Sequence, residues 1–206
     1  HLLLACDGAT EPIDRGVELY LKTHADEIKP YKINLIKRDY KDASGATAKI
    51  VVQELLTQDN VDVIAGWVYS PNAIATAPIV TAGKKLAVIM NAGTAHITTL
   101  SPYYVRTSFS MWHAGHALGE AAAKQLGAKT AVVGYTDFPP GKDTLAAFKM
   151  AFEGAGGKVI DEIPMGGANA VPDFTPFFQR AKDKKPDVFM VFVPGGRYGL
   201  TAVGKP

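Results

Sequence analysis

The stretch VDVIAGWVYSPNAIATAPIV, residues 61–80, decides how the chain is read. A short, uniformly apolar run ends at Gly66, two aromatics follow at Trp67 and Tyr69, and a Ser-Pro pair opens an Ala/Ile-rich run of helical character. Apolar runs of this length, closed by Gly, read as strands buried on both faces, the mark of a parallel sheet. Ser is a preferred N-cap and Pro a preferred first helical residue. The spacing therefore predicts a strand emptying into a helix that starts at Ser70 and runs to about Thr81.

The same unit repeats on both sides. Towards the N-terminus lie a strand, HLLLA, and a helix, IDRGVELYLKTHADE, with Ile13, Val17, Tyr20 and Leu21 at helical spacing. KINLIKRD follows as an alternating strand, then a helix from Asp42 or Ala43 to Gln58 with Ile50, Val51, Glu54 and Leu55 in register. Towards the C-terminus come the strand LAVIMN, a strand at Tyr104–Thr107, and a helix, MWHAGHALGEAAAKQLG, closed by Gly127 in the left-handed cap position. The cycle then restarts with the strand TAVVGY, the helix GKDTLAAFKMAFEGAGG, the strand KVIDEIPM, a helix opened by Asp173, and the strand DVFMVFV. Such alternation implies βαβ crossovers and parallel sheets flanked by helices. The expected architecture is α/β, with two Rossmann-like lobes at residues 1–112 and 113–206, a hinge between them, and a second lobe left incomplete with about three strands.

Bulk properties narrow the function. Of 206 residues, 47% are hydrophobic and 20% charged, with a formal net charge of +2, so no strong field favours nucleic acid or an anionic membrane surface. The apolar runs fall short of the ~18–20 residues a spanning helix needs. No basic region precedes HLLLAC, so an export signal is expected to have been removed or never to have existed. Cys6 is the single cysteine, which excludes an internal disulfide and fits cytoplasm or periplasm equally.

In open parallel sheets, ligands bind beyond the carboxyl ends of the strands. Those ends are Asp7–Thr10, Asp39–Asp42, Gly66–Ser70, Asn91–Thr94, Tyr135–Gly141 and Pro194–Tyr198. Ser70 at a helix N-terminus offers backbone N–H groups and partial positive charge to an anion, or serves as a plain cap. Trp67 and Tyr69 beside it read as aromatics without a core role. Ala92, Gly93 and Thr94 supply small residues for close approach plus one hydroxyl, or form a simple turn. Asp137 and Phe138 face a cleft from the second lobe, or belong to a Pro-rich connection. GYTDFPPGKDT is no phosphate loop, because Gly134 and Gly141 are too far apart and Asp143 stands where Ser or Thr is needed. His113 and His116 share a helix face, with His96 elsewhere, but further metal ligands are not identifiable, so these histidines read as solvated or hinge-facing and no metal is expected. No GxSxG, HExxH or paired-carboxylate pattern marks an enzyme. Asp39, Asp42 and Asp137 at strand ends read as caps or amine ligands, and Lys182–Lys185 as a solvated helix end.

The ordered series RGVELYLK, DASGATAKIVVQELLTQDNVDVIAGWVYSPNAIATAPI, LAVIMNAGT, SPYYVRTSFS, AVVGYTDFPPGKD, GGKVIDEIP, DFTPFFQRAK and PDVFMVFVPGG resembles the branched-chain amino acid type of ABC-transporter substrate-binding protein, with the type I periplasmic-binding fold. The resemblance runs from about residue 13 to 197. It implies a periplasmic receptor, or a lipid-anchored one in a single-membrane bacterium, that closes on a solute and delivers it to a membrane permease. It implies no enzyme, no cofactor and a monomer. It places the ligand carboxylate at Ser70 and at Ala92 with Thr94, and an aromatic contact at Phe138; at the second aromatic place the chain has Pro194 and Tyr198. The loop CDGATEP is shorter than the family pattern, and the family's amine-binding carboxylate lies beyond this sequence. The expected ligand is a small carboxylate, either a branched-chain or aromatic amino acid or an aromatic acid. Rival readings are a ligand-sensing domain of a receptor or regulator, and a nucleotide-using Rossmann enzyme, which needs a GxGxxG that the chain lacks.

Overall fold

Eight strands and six helices alternate along the chain in a computed structural model that describes residues 2–5, 11–40, 43–167 and 173–194. Cys6, Asp42, Tyr198 and the loop 7–10 lie outside the described residues. The chain separates into two compact units, His1–Phe109 and Ser110–Pro206. Among the described residues no helix is long and apolar enough to cross a membrane.

The first unit holds β1 (Leu2–Ala5), α1 (Glu11–Thr23), β2 (Ile36–Arg38), α2 (Ala46–Thr57), β3 (Val63–Gly66), α3 (Ser70–Gly83), β4 (Leu86–Ile89) and β5 (Tyr104–Arg106), with a 3-10 turn at Ala95–Thr99. All pairings are parallel, in the order β2-β1-β3-β4-β5. From β1 the chain winds one way to β2 and the other way to β3, so the carboxyl ends of β1 and β3 flank a topological switch point. Ile64 faces α2 and α3, packing among Val52, Leu55, Ala73, Ala77 and Val80. Ala65 faces the opposite side with Val17, Leu35, Val88 and Met90. With both faces covered, β3 has no reason to alternate in polarity, which explains its apolar run.

Several boundaries differ from expectation for local reasons. Helix α2 starts at Ala46 rather than Asp42 or Ala43, because Gly45 takes a left-handed φ of 80° as its N-cap. A Cβ on Gly45 would lie 2.6 Å from the Cβ of Ala75. The Gly45 N–H donates to Asn72 Oδ1 at 2.9 Å, fastening the start of α2 to the start of α3. Ile50 points outward at 61% exposure, and Val52 takes the core position instead. The N-cap of α3 is Tyr69, not Ser70; Ser70 is the first helical residue and no side chain caps the turn.

Trp67 requires the largest correction. Its side chain is 0% exposed and belongs to the core of the first unit, not to a free aromatic loop. Its indole N–H donates to Thr76 Oγ1 at 3.0 Å, and Thr76 donates to the Asn72 carbonyl at 2.8 Å. The Tyr104 ring meets the indole edge to face at 5.7 Å, and its hydroxyl donates to the Ala73 carbonyl at 2.7 Å. Burial pushes the Tyr104 phenol well above its ordinary pKa, so it remains a neutral donor. Trp67 holds this place with a φ of 60°. That conformation costs a bulky residue roughly 1–3 kcal/mol and persists only where the surroundings fix it. Here the indole anchor fixes it.

The second unit holds α4 (Met111–Lys124), β6 (Thr130–Tyr135), α5 (Pro139–Gly154), β7 (Lys158–Pro164), α6 (Thr175–Asp183) and β8 (Val188–Phe192). Its sheet is parallel, in the order β7-β6-β8. Ala131 and Val133 of β6 pack against Phe148 and Phe152 of α5 and Ala122 of α4, while Val132 faces Phe174 and Ala181. Gly115 and Gly119 let α4 lie directly on α5: a Cβ on either would come within 2.6 Å of the Thr144 carbonyl or 2.5 Å of the Phe148 carbonyl. His113 is not simply solvated. Its Nδ1 accepts from the Ser110 N–H at 3.1 Å in a capping box that starts α4. His116 lies 3.9 Å from Glu120. Asp173 accepts from the Thr175 N–H at 3.0 Å, from outside the N-cap Phe174. Helix α5 begins at Pro139, two residues before expectation, since two prolines suit a first turn that needs no N–H. At the amino ends of β6 and β8, Asp187 accepts from the N–H groups of Lys129 and Thr130 at 2.9 and 2.8 Å, which hold its carboxyl below the usual range.

Two substitutions test this packing by urea unfolding. Trp67→Ala is expected to cost ~3–5 kcal/mol, and Trp67→Phe ~1–3 kcal/mol because Thr76 loses its indole donor while the ring volume largely remains. A midpoint unmoved by Trp67→Ala would remove the indole from the core. Gly119→Ala is expected to cost ~1–3 kcal/mol through overpacking against backbone that cannot move aside alone; a neutral result contradicts the close approach of α4 and α5.

Candidate functional site

The loops that leave β3 and β4 meet. Met90 N–H donates to the Gly66 carbonyl at 2.7 Å and Ala92 N–H to the Trp67 carbonyl at 2.8 Å, so the parallel ladder continues past the strands into the loops. One step further, the Thr94 N–H donates to Ser70 Oγ at 3.1 Å. Four expected site residues, Ser70, Ala92, Gly93 and Thr94, are thereby brought together, all buried. The backbone of Trp67 joins them while its ring faces the core. Tyr69 stands beside them, half-buried, as the N-cap of α3.

The hydroxyls carry the chemistry. Ser70 Oγ accepts from Thr94, which leaves its own proton for another acceptor. Thr94 Oγ1 is buried and has no hydrogen-bond partner among the described residues. Leaving such a group unpaired costs ~1–3 kcal/mol, and native structures contain few of them. Ser70 is the first residue of α3, a helix of 14 residues whose N-terminus carries about half a positive charge. Two hydroxyl donors at a positive helix end suit an anionic oxygen acceptor. Ser70 and Thr94 are 1% and 0% exposed, so any group that meets them leaves bulk water and gains a stronger interaction in return.

Arg106, at the carboxyl end of β5, reaches this loop. Its Nη1 donates to the carbonyl of Thr94 at 2.7 Å and of Ala92 at 3.4 Å, and its Nη2 to that of Ala95 at 3.1 Å. Sequence reasoning passed over Arg106, although a cation at the end of a strand otherwise apolar was a visible signal. Asn72, which ties α2 to α3, was hidden inside the Ser-Pro-Asn start.

In the second unit, Asp137 and Phe138 follow β6. Asp137 is exposed, pairs with Lys142 at 3.0 Å, and donates its N–H to the Gly166 carbonyl at 2.7 Å. Phe138 is half-buried as the N-cap of α5, with its ring 6.1 Å from that of Phe192 at the end of β8. Phe192 was also unanticipated; it is the last aromatic of the strand. Partial burial, then the charge of Asp137, pushes the Tyr135 phenol up. Among the described residues no three His, Cys, Asp or Glu side chains gather into a possible metal site.

With this geometry in place, comparison with known proteins is informative. A family model described as periplasmic binding protein matches residues 7–200. The Leu/Ile/Val-binding protein homolog 6 of Brucella abortus (strain 2308) is 36% identical over 181 residues, covering 88% of this chain and 46% of that protein. A solute binding protein of an ABC transporter from Rhodopseudomonas palustris BisB5, solved in complex with 3,4-dihydroxy benzoic acid, superposes with a TM-score of 0.85 at 42% identity, covering 95% of this chain and 54% of that one. Another, from Rhodopseudomonas palustris HaA2 in complex with p-hydroxybenzoic acid, gives a TM-score of 0.89 at 32% identity, covering 98% and 55%. The chain spans about half the length of these relatives. They are binding proteins rather than enzymes. The parallel sheets, the matched residues and the identities lead to one statement: the chain belongs to the periplasmic binding protein family.

Proposed function

We propose that this chain is the ligand-binding part of an extracytoplasmic solute receptor that captures a small aromatic carboxylate and presents it to the permease of an ABC transporter. The observation that carries the reading is the buried Thr94 Oγ1, without a partner among the described residues, beside Ser70, whose oxygen already accepts from the Thr94 N–H. A ligand carboxylate supplies the missing acceptor for both hydroxyls. Each such charge-assisted bond is worth ~1.5–3 kcal/mol, against an association cost of ~4–15 kcal/mol. Hydroxyls alone therefore bind weakly, and a micromolar constant, about −8 kcal/mol, needs apolar contact from the rest of the ligand. Phe138, with Phe192 beside it, is proposed as a ligand-contacting aromatic. The benzoic acids bound by the two Rhodopseudomonas proteins support a planar ring over an aliphatic side chain. Asp137 is likewise proposed as a ligand-contacting residue. The salt bridge to Lys142 makes it a poor sole partner for a ligand amine. A second reading, a branched-chain amino acid, is favoured by the name of the Brucella relative.

Calorimetric titration of the purified protein with benzoate, 4-hydroxybenzoate, 3,4-dihydroxybenzoate, leucine, isoleucine and valine separates the two readings. Benzoates are expected to bind at least about tenfold more tightly than the amino acids; the reverse order establishes the second reading, and binding by neither class ends both. Thr94→Val is expected to weaken the best ligand by about tenfold or more while leaving the ligand-free protein equally or more stable, by up to ~1 kcal/mol, since it removes an unpaired buried hydroxyl. Ser70→Ala is expected to weaken binding by a similar factor. Unchanged affinity in both variants would place the carboxylate elsewhere.

A further inference from the structure

Three carbonyls of one short loop, those of Ala92, Thr94 and Ala95, converge on a single guanidinium, at 3.4, 2.7 and 3.1 Å. Backbone carbonyls seldom turn to one side in succession without a reason, because their dipoles repel. A cation at their focus supplies the reason, and the planar fork of Arg matches several acceptors at once in a way that a Lys ammonium does not. In a trans peptide the C=O and the following N–H point in opposite directions. Holding the carbonyls of Ala92 and Thr94 on Arg106 therefore turns the N–H groups of Gly93 and Ala95 away from it. The Thr94 N–H, between them, reaches Ser70 Oγ at 3.1 Å. Arg106 is half-buried and meets the loop through its carbonyls, whereas Ser70 Oγ, at the start of α3, meets it through the Thr94 N–H.

We infer that Arg106 is the positioning residue of the carboxylate site: by gathering the carbonyls of Ala92, Thr94 and Ala95 it sets the peptide planes of this loop and thereby places the Thr94 N–H and hydroxyl against Ser70. Arg106 itself does not touch the ligand in this arrangement. The inference rests on the reading of Ser70 and Thr94 as a carboxylate site, but the geometry it claims exists without ligand.

The test uses amide hydrogen exchange on the ligand-free protein and titration with 4-hydroxybenzoate, for wild type, Arg106→Gln and Arg106→Lys. Both variants are expected to speed exchange at Ala92 and Thr94 by about tenfold relative to Ala87 and Met90, the loss of one hydrogen bond's protection, and to weaken 4-hydroxybenzoate by a similar factor. Lys, which keeps the charge but lacks the fork, is expected not to rescue. A merely structural role would instead speed all four amides equally and leave affinity intact, which overturns the inference. So does full rescue by Lys. If Gln prevents folding, the Lys variant decides alone. If wild type binds no carboxylate at all, the proposed function fails, and the exchange ratio still decides whether Arg106 orders the loop.

Discussion

The indole of Trp67 is the contact on which the first unit's site depends. Its burial and its bond to Thr76 hold the residue at a positive φ just past the end of β3. With the backbone turned there, the Trp67 carbonyl accepts from Ala92 and α3 begins three residues later at Ser70. The indole thus fixes two things at once: where the loop after β4 sits, and where the first hydroxyl of α3 points. Thr76 and Tyr104 complete the anchor from α3 and β5, so three elements share responsibility for one turn.

The same small region concentrates features that a stability-driven sequence would avoid. A tryptophan sits in the left-handed region, and a threonine hydroxyl is buried without a partner among the described residues. Each is unfavourable by roughly 1–3 kcal/mol on general grounds. Elsewhere in the first unit Asn72 accepts from Gly45, Thr81 donates to the Ala77 carbonyl and Ser101 accepts from Thr81, while Ser108 Oγ is, like Thr94 Oγ1, buried without a partner among the described residues. Two such costs at one loop junction are consistent with a site organised for a ligand rather than for its own stability.

Much of this was legible in the sequence, and the limits have physical causes. The run VDVIAG gave away a doubly covered strand because burial on both faces leaves no alternation, and Ser70 with Thr94 followed from the rule that parallel sheets place their loops together at one end. Trp67 was misjudged because a tryptophan after a glycine at a strand end looks like loop; only the return of α3 over it, bringing Thr76 within 3.0 Å, makes it core. The capping role of Ser70 failed for a related reason, since its oxygen is used by Thr94, 24 positions away, rather than by its own helix. Arg106 and Phe192 escaped notice because each sits at the end of a short strand, where one-dimensional periodicity carries no information about which loops lie alongside.

The account stands or falls on where a bound carboxylate rests. A crystal structure of the protein with 4-hydroxybenzoate measures this directly. The account predicts one carboxylate oxygen within about 3 Å of both Ser70 Oγ and Thr94 Oγ1. A carboxylate bound elsewhere, with the Thr94 hydroxyl still without a hydrogen-bond partner, would contradict it.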